Sequence, residues 1–300
     1  MIGIWRRNQE KRDDGGDAYF KKRGRQKIFA WIIFAVFMIY AVTLIFPFAW
    51  ILMNSLKSEP TFAENFHGFP AELFFSNYKS ALLSTEGGVS LLSMFGNSLL
   101  ITTVSTLITL LTSGCAAYIV AKFKFRGRNL IYSLVIFSLV VPIVGTLPSL
   151  LQVMRAIKLY DTVFAVFFIY SGGFGMNFLI LYGFFKSLSM GYAEAAYIDG
   201  AGDFRVFFTI MLPLAMPSLT AVGVLTFIGL WNEYVIPQVL LPGMPTISVG
   251  LFTLSENLKN TNNWTQMFAA VVMALVPILI VFLIFQNTIM TNTVAGGLKG

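Results

Sequence analysis

The densest set of residues placed to do chemistry lies at 190–217, which reads MGYAEAAYIDGAGDFRVFFTIMLPLAMP. Glu194, with the small residues Ala193, Ala195 and Ala196, opens a short helix, and a carboxylate in a first turn suits the positive end of the helix dipole. Gly200 can take the left-handed conformation that closes a helix, and Gly202 adds a second joint. Asp203 is placed to N-cap the helix that follows. Phe204, Phe207, Phe208 and Met211 then recur at i, i+3, i+4 and i+7, an apolar stripe on one face, until Pro213 and Pro217 end the run. The pattern predicts a helix–turn–helix. Its second helix packs inward, and its first offers small outward alanines that let another protein approach the backbone. On composition alone, an amphipathic hairpin lying on a membrane surface is an equal reading.

Other chemistry is sparse. No Gly-x-x-x-x-Gly-Lys-Ser/Thr phosphate loop is present: Lys57-Ser58, Lys79-Ser80 and Lys186-Ser187 lack the upstream glycines. No zincin motif or Gly-x-Ser-x-Gly elbow occurs. A single cysteine, Cys115, and a single histidine, His67, exclude an intrachain disulfide and a thiolate metal cluster. The sequence therefore predicts no catalytic residue, no metal site and no cofactor bound by this chain. Within apolar stretches the one acid is Glu233, in Trp231-Asn232-Glu233-Tyr234. That cluster reads either as part of a solute pathway or as an aromatic anchor at the membrane interface. Asn97, Gln152, Asn177 and Asn232 either face a solute or bond a neighbouring helix.

The elements that must position these residues follow from composition. Of 300 residues 56% are hydrophobic and only 12% are charged, and 30 are Phe. Such a chain cannot cover its surface with polar groups, which excludes a soluble globular enzyme and disorder alike. An all-α polytopic membrane protein remains. Apolar stretches able to cross a bilayer recur six times, near 28–53, 95–121, 129–152, 162–185, 215–240 and 266–290. The first has 29 uncharged residues, Ile28 to Leu56, too long for a cleaved signal. Pro142, Pro148, Gly172, Gly173, Gly175 and Pro277 interrupt spans, either as packing kinks or as the lining of a cavity.

Basic residues set the orientation. Nine of the 21 Lys and Arg precede the first span, and Lys122, Lys124, Arg126 and Arg128 follow the second. Counted by loops, sixteen fall on one side and five on the other, which predicts six transmembrane helices with both termini cytoplasmic in a cell (inner) membrane. The organisation expected is a basic cytoplasmic tail 1–27, a first transmembrane helix 28–53 and an extracytoplasmic loop 54–94. A core 95–290 with the cytoplasmic loop 190–217 follows, then a Gly-rich cytoplasmic tail 291–300. The outer loop reads as turn-rich, with a short helix near 74–83.

Glu194-Ala195-Ala196, three residues, Gly200, nine residues, Ile210, one residue and Leu212-Pro213 resemble, without a gap, the EAA signature of permease subunits of binding-protein-dependent ABC importers. Asn54-Ser55-Leu56-Lys57, Asn97-Ser98-Leu99, Ala116-Ala117-Tyr118, Ile198-Asp199-Gly200-Ala201, Trp231-Asn232-Glu233-Tyr234 and the tail Gly296-Gly297-Leu298-Lys299-Gly300 resemble the maltose-type carbohydrate uptake subgroup. The resemblance implies a type I ABC importer permease fold, an assembly with a second homologous permease as a heterodimer, two ATPase subunits that bind ATP and Mg, and an extracytoplasmic solute-binding protein. It implies that Glu194, Ala195, Ala196, Asp199, Gly200, Ala201, Ile210, Leu212 and Pro213 couple the permease to an ATPase, and that this chain forms half of a pathway for an oligosaccharide or related sugar. A membrane-embedded enzyme and an ion-coupled transporter are the rival classes; both call for paired ionisable groups within the spans, and only Glu233 is there.

Overall fold

The computed structural model describes residues 24–86, 88–141 and 145–297. The basic tail up to residue 23, Pro142 and the terminal Leu298, Lys299 and Gly300 lie outside them. Among the described residues three continuous helices are long and apolar enough to cross a membrane: Phe29–Ser55, Leu91–Lys122 and Trp264–Asn287. The first lies in α1 (Gly24–Ser55), apolar on every side, with Trp31, Phe37 and Phe46 all exposed. A helix of that kind is made for lipid or for another subunit, since it offers no polar face to water. It packs along α14 (Trp264–Gly297). That last helix runs through residues 291–297 of the expected Gly-rich tail 291–300, because no proline interrupts its i→i−4 bonds after Pro277.

The segment 54–94, expected as an extracytoplasmic loop, is more ordered than a run of turns. It holds α2 (Glu59–Glu64), α3 (Ser76–Leu83) and a minimal hairpin of β1 (Thr85–Glu86) and β2 (Val89–Ser90), with Thr85 opposite Ser90. The helix predicted near 74–83 is α3. Ser58 caps α2 through the Thr61 N–H at 3.3 Å. The Glu59 carboxylate accepts from the backbone N–H groups of Trp264 and Thr265 at 3.1 and 3.0 Å and from the Thr265 hydroxyl at 2.9 Å. A charged acceptor thus satisfies the free N-terminal N–H groups of α14 and pins the loop to the bundle. Asn77 Nδ2 bonds the carbonyls of Ser55 and Lys57, and Lys57, buried to 1% exposure, donates to the Asn65 carbonyl at 2.8 Å. Burial lowers the pKa of that ammonium.

At the centre stands α4 (Leu91–Lys122), with Ser90 as its N-cap. Its 32 residues extend about 48 Å at 1.5 Å per residue, longer than a hydrocarbon core of roughly 30 Å. Ser98, Thr102, Ser105, Thr109 and Ser113 form a buried stripe of small residues on it. Small side chains let membrane helices approach closely. The Thr109 hydroxyl donates to the Tyr170 carbonyl at 2.8 Å, and a Cβ on Gly173 would stand 2.9 Å from the Thr112 carbonyl oxygen.

The other three predicted spans are broken. The stretch 129–152 forms α5 (Arg128–Val140) and α6 (Thr146–Ala156). Pro148 sits in the first turn of α6, where a missing N–H costs no helical bond, so it does not interrupt a helix there. The stretch 162–185 forms α7 (Val163–Tyr170) and α8 (Met176–Ser187), parted at the glycines 172, 173 and 175. The stretch 215–240 forms α11 (Met216–Asn232) and α12 (Val235–Leu240), after α9 (Gly191–Ile198) and α10 (Asp203–Leu214). α13 (Ile247–Thr261) then leads to α14. The largest core cluster joins α4, α8, α9, α10 and α11 through residues such as Tyr118, Phe178, Phe185, Ala193, Phe207 and Met211.

Candidate functional site

The loop predicted as a helix–turn–helix is one. α9 ends in a Schellman arrangement: the Gly200 N–H bonds the Tyr197 carbonyl at 3.0 Å, and the Ala201 N–H bonds the Ala196 carbonyl at 3.0 Å. Gly200 has φ +79°, the conformation such a C′ residue adopts and a side chain resists. Asp199, at the end of the helix, is exposed. The backbone closes this helix by itself and leaves the side chains of its outer face unused.

Which face that is differs from the sequence expectation. Ala193 and Ala196 are buried in the core, so two of the three alanines of α9 face inward and hold it against the bundle. Tyr192, Glu194, Ala195, Ile198 and Asp199 are exposed, and Ile198 reaches 86%. Docking therefore rests on the outer side chains rather than on a bare alanine surface. Asp203 is also placed differently. The N-cap of α10 is Gly202, Asp203 is its first helical residue, and the Asp203 carboxylate accepts from the Tyr197 hydroxyl at 2.8 Å. This bond locks the two helices together across Gly200. Burial, with the bond to Asp203, pushes the Tyr197 phenol up to about 12, so the donor stays protonated at neutral pH.

The apolar stripe of α10 is likewise rotated. Val206, Phe207 and Met211 are buried, whereas Phe204 is 82% exposed and Phe208 half exposed. A π-helical turn over Phe207–Met211 widens the helix locally and shifts the phase that a 3.6 period assumes. Ile210 and Leu212 are half-buried against the core, and Pro213 is exposed just before the 74° bend into α11. Ala201 packs partly against the same core.

The residues named for a pathway are not brought together in one site. Trp231 is 2% exposed, stacked on Phe227, edge-on to Phe95, with its indole N–H donating to the Ala274 carbonyl at 3.0 Å. Neither the interfacial anchor nor a solute-facing role fits a ring enclosed in this way. Asn97 Nδ2 bonds the Pro245 carbonyl at 3.0 Å, tying α4 to the connection before α13, and Asn177 Nδ2 bonds the Thr226 hydroxyl at 2.9 Å, tying α8 to α11. Gln152 is exposed on α6. Asn232 is exposed and its Nδ2 bonds the Ile228 carbonyl at 2.8 Å within its own helix. Glu233 breaks the span between α11 and α12, and its Oε1 accepts from the N–H groups of Val235 at 2.7 Å and Ile236 at 3.2 Å. A half-helix inside a membrane needs acceptors for its first N–H groups, and this carboxylate supplies one. Tyr234 stacks on Phe252 with ring centroids 4.9 Å apart.

Sequence reasoning missed Tyr197 and Glu59. Ser58-Glu59-Pro60 does signal a helix start, but the helix that Glu59 caps begins about 205 residues later, beyond any local pattern.

Comparison with known proteins accounts for this architecture. The family model described as "Binding-protein-dependent transport system inner membrane component" matches residues 110–290. The chain is 32% identical over 265 residues to the diacetylchitobiose uptake system permease protein NgcG of Streptomyces coelicolor, covering 87% of this chain and 86% of that protein. It is 31% identical to the arabinooligosaccharides transport system permease protein AraQ of Halalkalibacterium halodurans, covering 93% and 100%, and 31% identical to the trehalose/maltose transport system permease protein MalG of Thermococcus litoralis, covering 90% and 96%. A solved bacterial ABC transporter involved in alginate import shares the fold, with a TM-score of 0.75 at 23% identity over 89% of this chain and 98% of that one. With a helical bundle built for lipid and a family match over most of its length, this chain belongs to the family of binding-protein-dependent transport system inner membrane components, the permeases of ABC importers.

Proposed function

We propose that the chain is one of two homologous permease subunits, in a heterodimer, of an ATP-driven importer for an oligosaccharide or related sugar. It crosses the cytoplasmic membrane six times, at the six apolar stretches, with both termini in the cytoplasm. Two ATPase subunits bind ATP and Mg on the cytoplasmic side, and a solute-binding protein delivers the sugar outside. The chain binds no cofactor of its own and hydrolyses nothing. Relatives named for diacetylchitobiose, arabinooligosaccharides and trehalose/maltose support the sugar class. A solved alginate transporter in complex with a pentasaccharide-bound periplasmic protein supports the external partner.

The observation that carries the coupling is the outward face of α9. Glu194, Ile198 and Asp199 are exposed on a helix held rigidly by buried Ala193 and Ala196 and closed at Gly200. A helix lying on an anionic membrane carries Lys and Arg on its polar face. Here the exposed charges from 191 to 206 are Glu194, Asp199 and Asp203 against Arg205 alone, which favours a protein cleft over lipid. ATPase movement then reaches the spans as rigid-body motion through α9 and α10 into α4 and α11. Ala195, Ala196, Ala201, Ile210, Leu212 and Pro213 act as the frame of that lever. Gln152, Asn232, Glu233 and Tyr234 are the pathway candidates, while Asn97 and Asn177, half-buried, and Trp231, buried, are engaged in internal hydrogen bonds.

Reporter fusions test the topology. Fusions after Arg128 and within 190–217 should report the cytoplasm, and fusions near Pro70 and Asn260 the outside. An external 190–217 loop would overturn both the orientation and the coupling.

A further inference from the structure

We propose that the turn between α4 and α5 is a binding site for a phosphate group, presented by the headgroup of an anionic phospholipid. A cavity of about 450 Å³ opens there, lined by Lys124, Phe125, Gly127, Arg128, Asn129 and Leu130. Two cations line it, Lys124 exposed and Arg128 half-buried, and Arg126 stands exposed in the same turn. No acid occurs from Lys122 to Arg128. Lys122 is turned away, its ammonium donating to the Leu188 carbonyl. The Arg128 Nε is fully buried and has no hydrogen-bond partner. A buried guanidinium donor left unpaired is costly, and an anionic oxygen is the acceptor it lacks.

The backbone is arranged for the same ligand. Gly127 has φ +95° and precedes α5 with no side-chain cap. The first free N–H groups of that 13-residue helix therefore open beside the cations. Phosphate in this position meets the Arg128 guanidinium, the Lys124 ammonium and helix N–H groups together. The adjoining surface selects the lipid source. Leu130, Leu134, Phe137 and Val140 are exposed at 62, 55, 64 and 75% and share one face of α5 leading away from the cavity. An acyl chain can lie along that face while its headgroup occupies the turn; a free phosphate would use the turn alone.

The test uses the whole transporter complex in nanodiscs of phosphatidylcholine, with or without phosphatidylglycerol. Retained phosphatidylglycerol is counted by native mass spectrometry, and Arg128 reactivity toward phenylglyoxal is followed in parallel. Phosphatidylglycerol should slow Arg128 labelling, and a Lys124→Gln, Arg126→Gln variant should lose retained phosphatidylglycerol by about thirtyfold, as expected for two cations removed from an anionic surface. An Arg155→Gln, Lys158→Gln variant, equal in charge but distant from the turn, should retain it. Inorganic phosphate in phosphatidylcholine discs separates the sources: protection by phosphate alone, equal to that by phosphatidylglycerol, supports the phosphate site with a soluble ion as occupant. Protection by neither, or equal retention by both variants, overturns the site. None of these readouts depends on the transported solute.

Discussion

Two of the joints that interrupt helices in this chain are built in opposite ways. At Gly200 the backbone closes α9 through its own 3.0 Å bonds, so the acids nearby, Glu194 and Asp199, stay exposed and available to a partner. At Glu233 the carboxylate itself receives the first N–H groups of α12, so the single acid within the broken span is engaged in holding that break. In water a helix end can be left to solvent, but in lipid each free N–H needs an acceptor from the protein. The same residue type is therefore left exposed on a surface in one place and holds internal structure in the other.

The largest effect should come from the first joint. A side chain at φ +79° is strained, so Gly200→Val combined with Glu194→Lys should tilt α9 and reverse its charge. The doubly substituted chain should still insert, yet ATP-driven uptake should fall at least about tenfold, equivalent to ~1.4 kcal/mol of coupling. Full uptake would show that the two joints do not differ in this way. Next is Gly173→Ala in the break between α7 and α8. The added carbon would meet the Thr112 carbonyl oxygen at 2.9 Å, and displacing backbone should cost about 1–3 kcal/mol, read as a lower midpoint of thermal unfolding in detergent.

The second joint is sharpened by a pair of variants. Glu233→Ala removes the acceptor for the Val235 and Ile236 N–H groups and should cost about 0.5–2 kcal/mol of stability. Glu233→Gln keeps a carbonyl oxygen and should recover most of it. If both variants lose transport equally while both remain as stable as the parent, the carboxylate serves the solute and not the helix. Smallest is Tyr197→Phe, which deletes the bond to Asp203 and should cost about 0.5–1 kcal/mol at neutral pH. Because the folded phenol titrates above its ordinary value, that contribution should be whole below pH 10 and vanish as pH rises through about 12.

How far the sequence reaches is clear from these same elements. The spans at Phe29–Ser55, Leu91–Lys122 and Trp264–Asn287 are legible because each is an uninterrupted apolar run longer than a bilayer requires. The broken spans are visible only as breakers; whether Gly173 merely kinks a helix or ends it depends on the backbone of α4 packed against it. The Gly200 joint is legible because its signal is local. The inward phase of Ala193 and Ala196 is not, since an eight-residue helix of mostly small or apolar residues carries no strong periodicity. Nor could the π-helical turn over Phe207–Met211 be foreseen from a stripe counted at 3.6 residues per turn. Long-range bonds such as Asn97 to Pro245 are invisible to residue type, which is why the sequence left internal bonding and solute contact as equal alternatives for the polar residues of the spans.

The central claim, that the outer face of α9 docks into a partner ATPase, is tested most directly by photocrosslinking from its most exposed apolar residue. With benzoylphenylalanine in place of Ile198, 86% exposed in the free chain, irradiation of membranes containing the assembled transporter should join this subunit to an ATPase subunit. The yield should fall when Gly200→Val is added. Crosslinks to lipid alone, unchanged by Gly200→Val, would contradict the account and leave the loop a hairpin on the membrane surface.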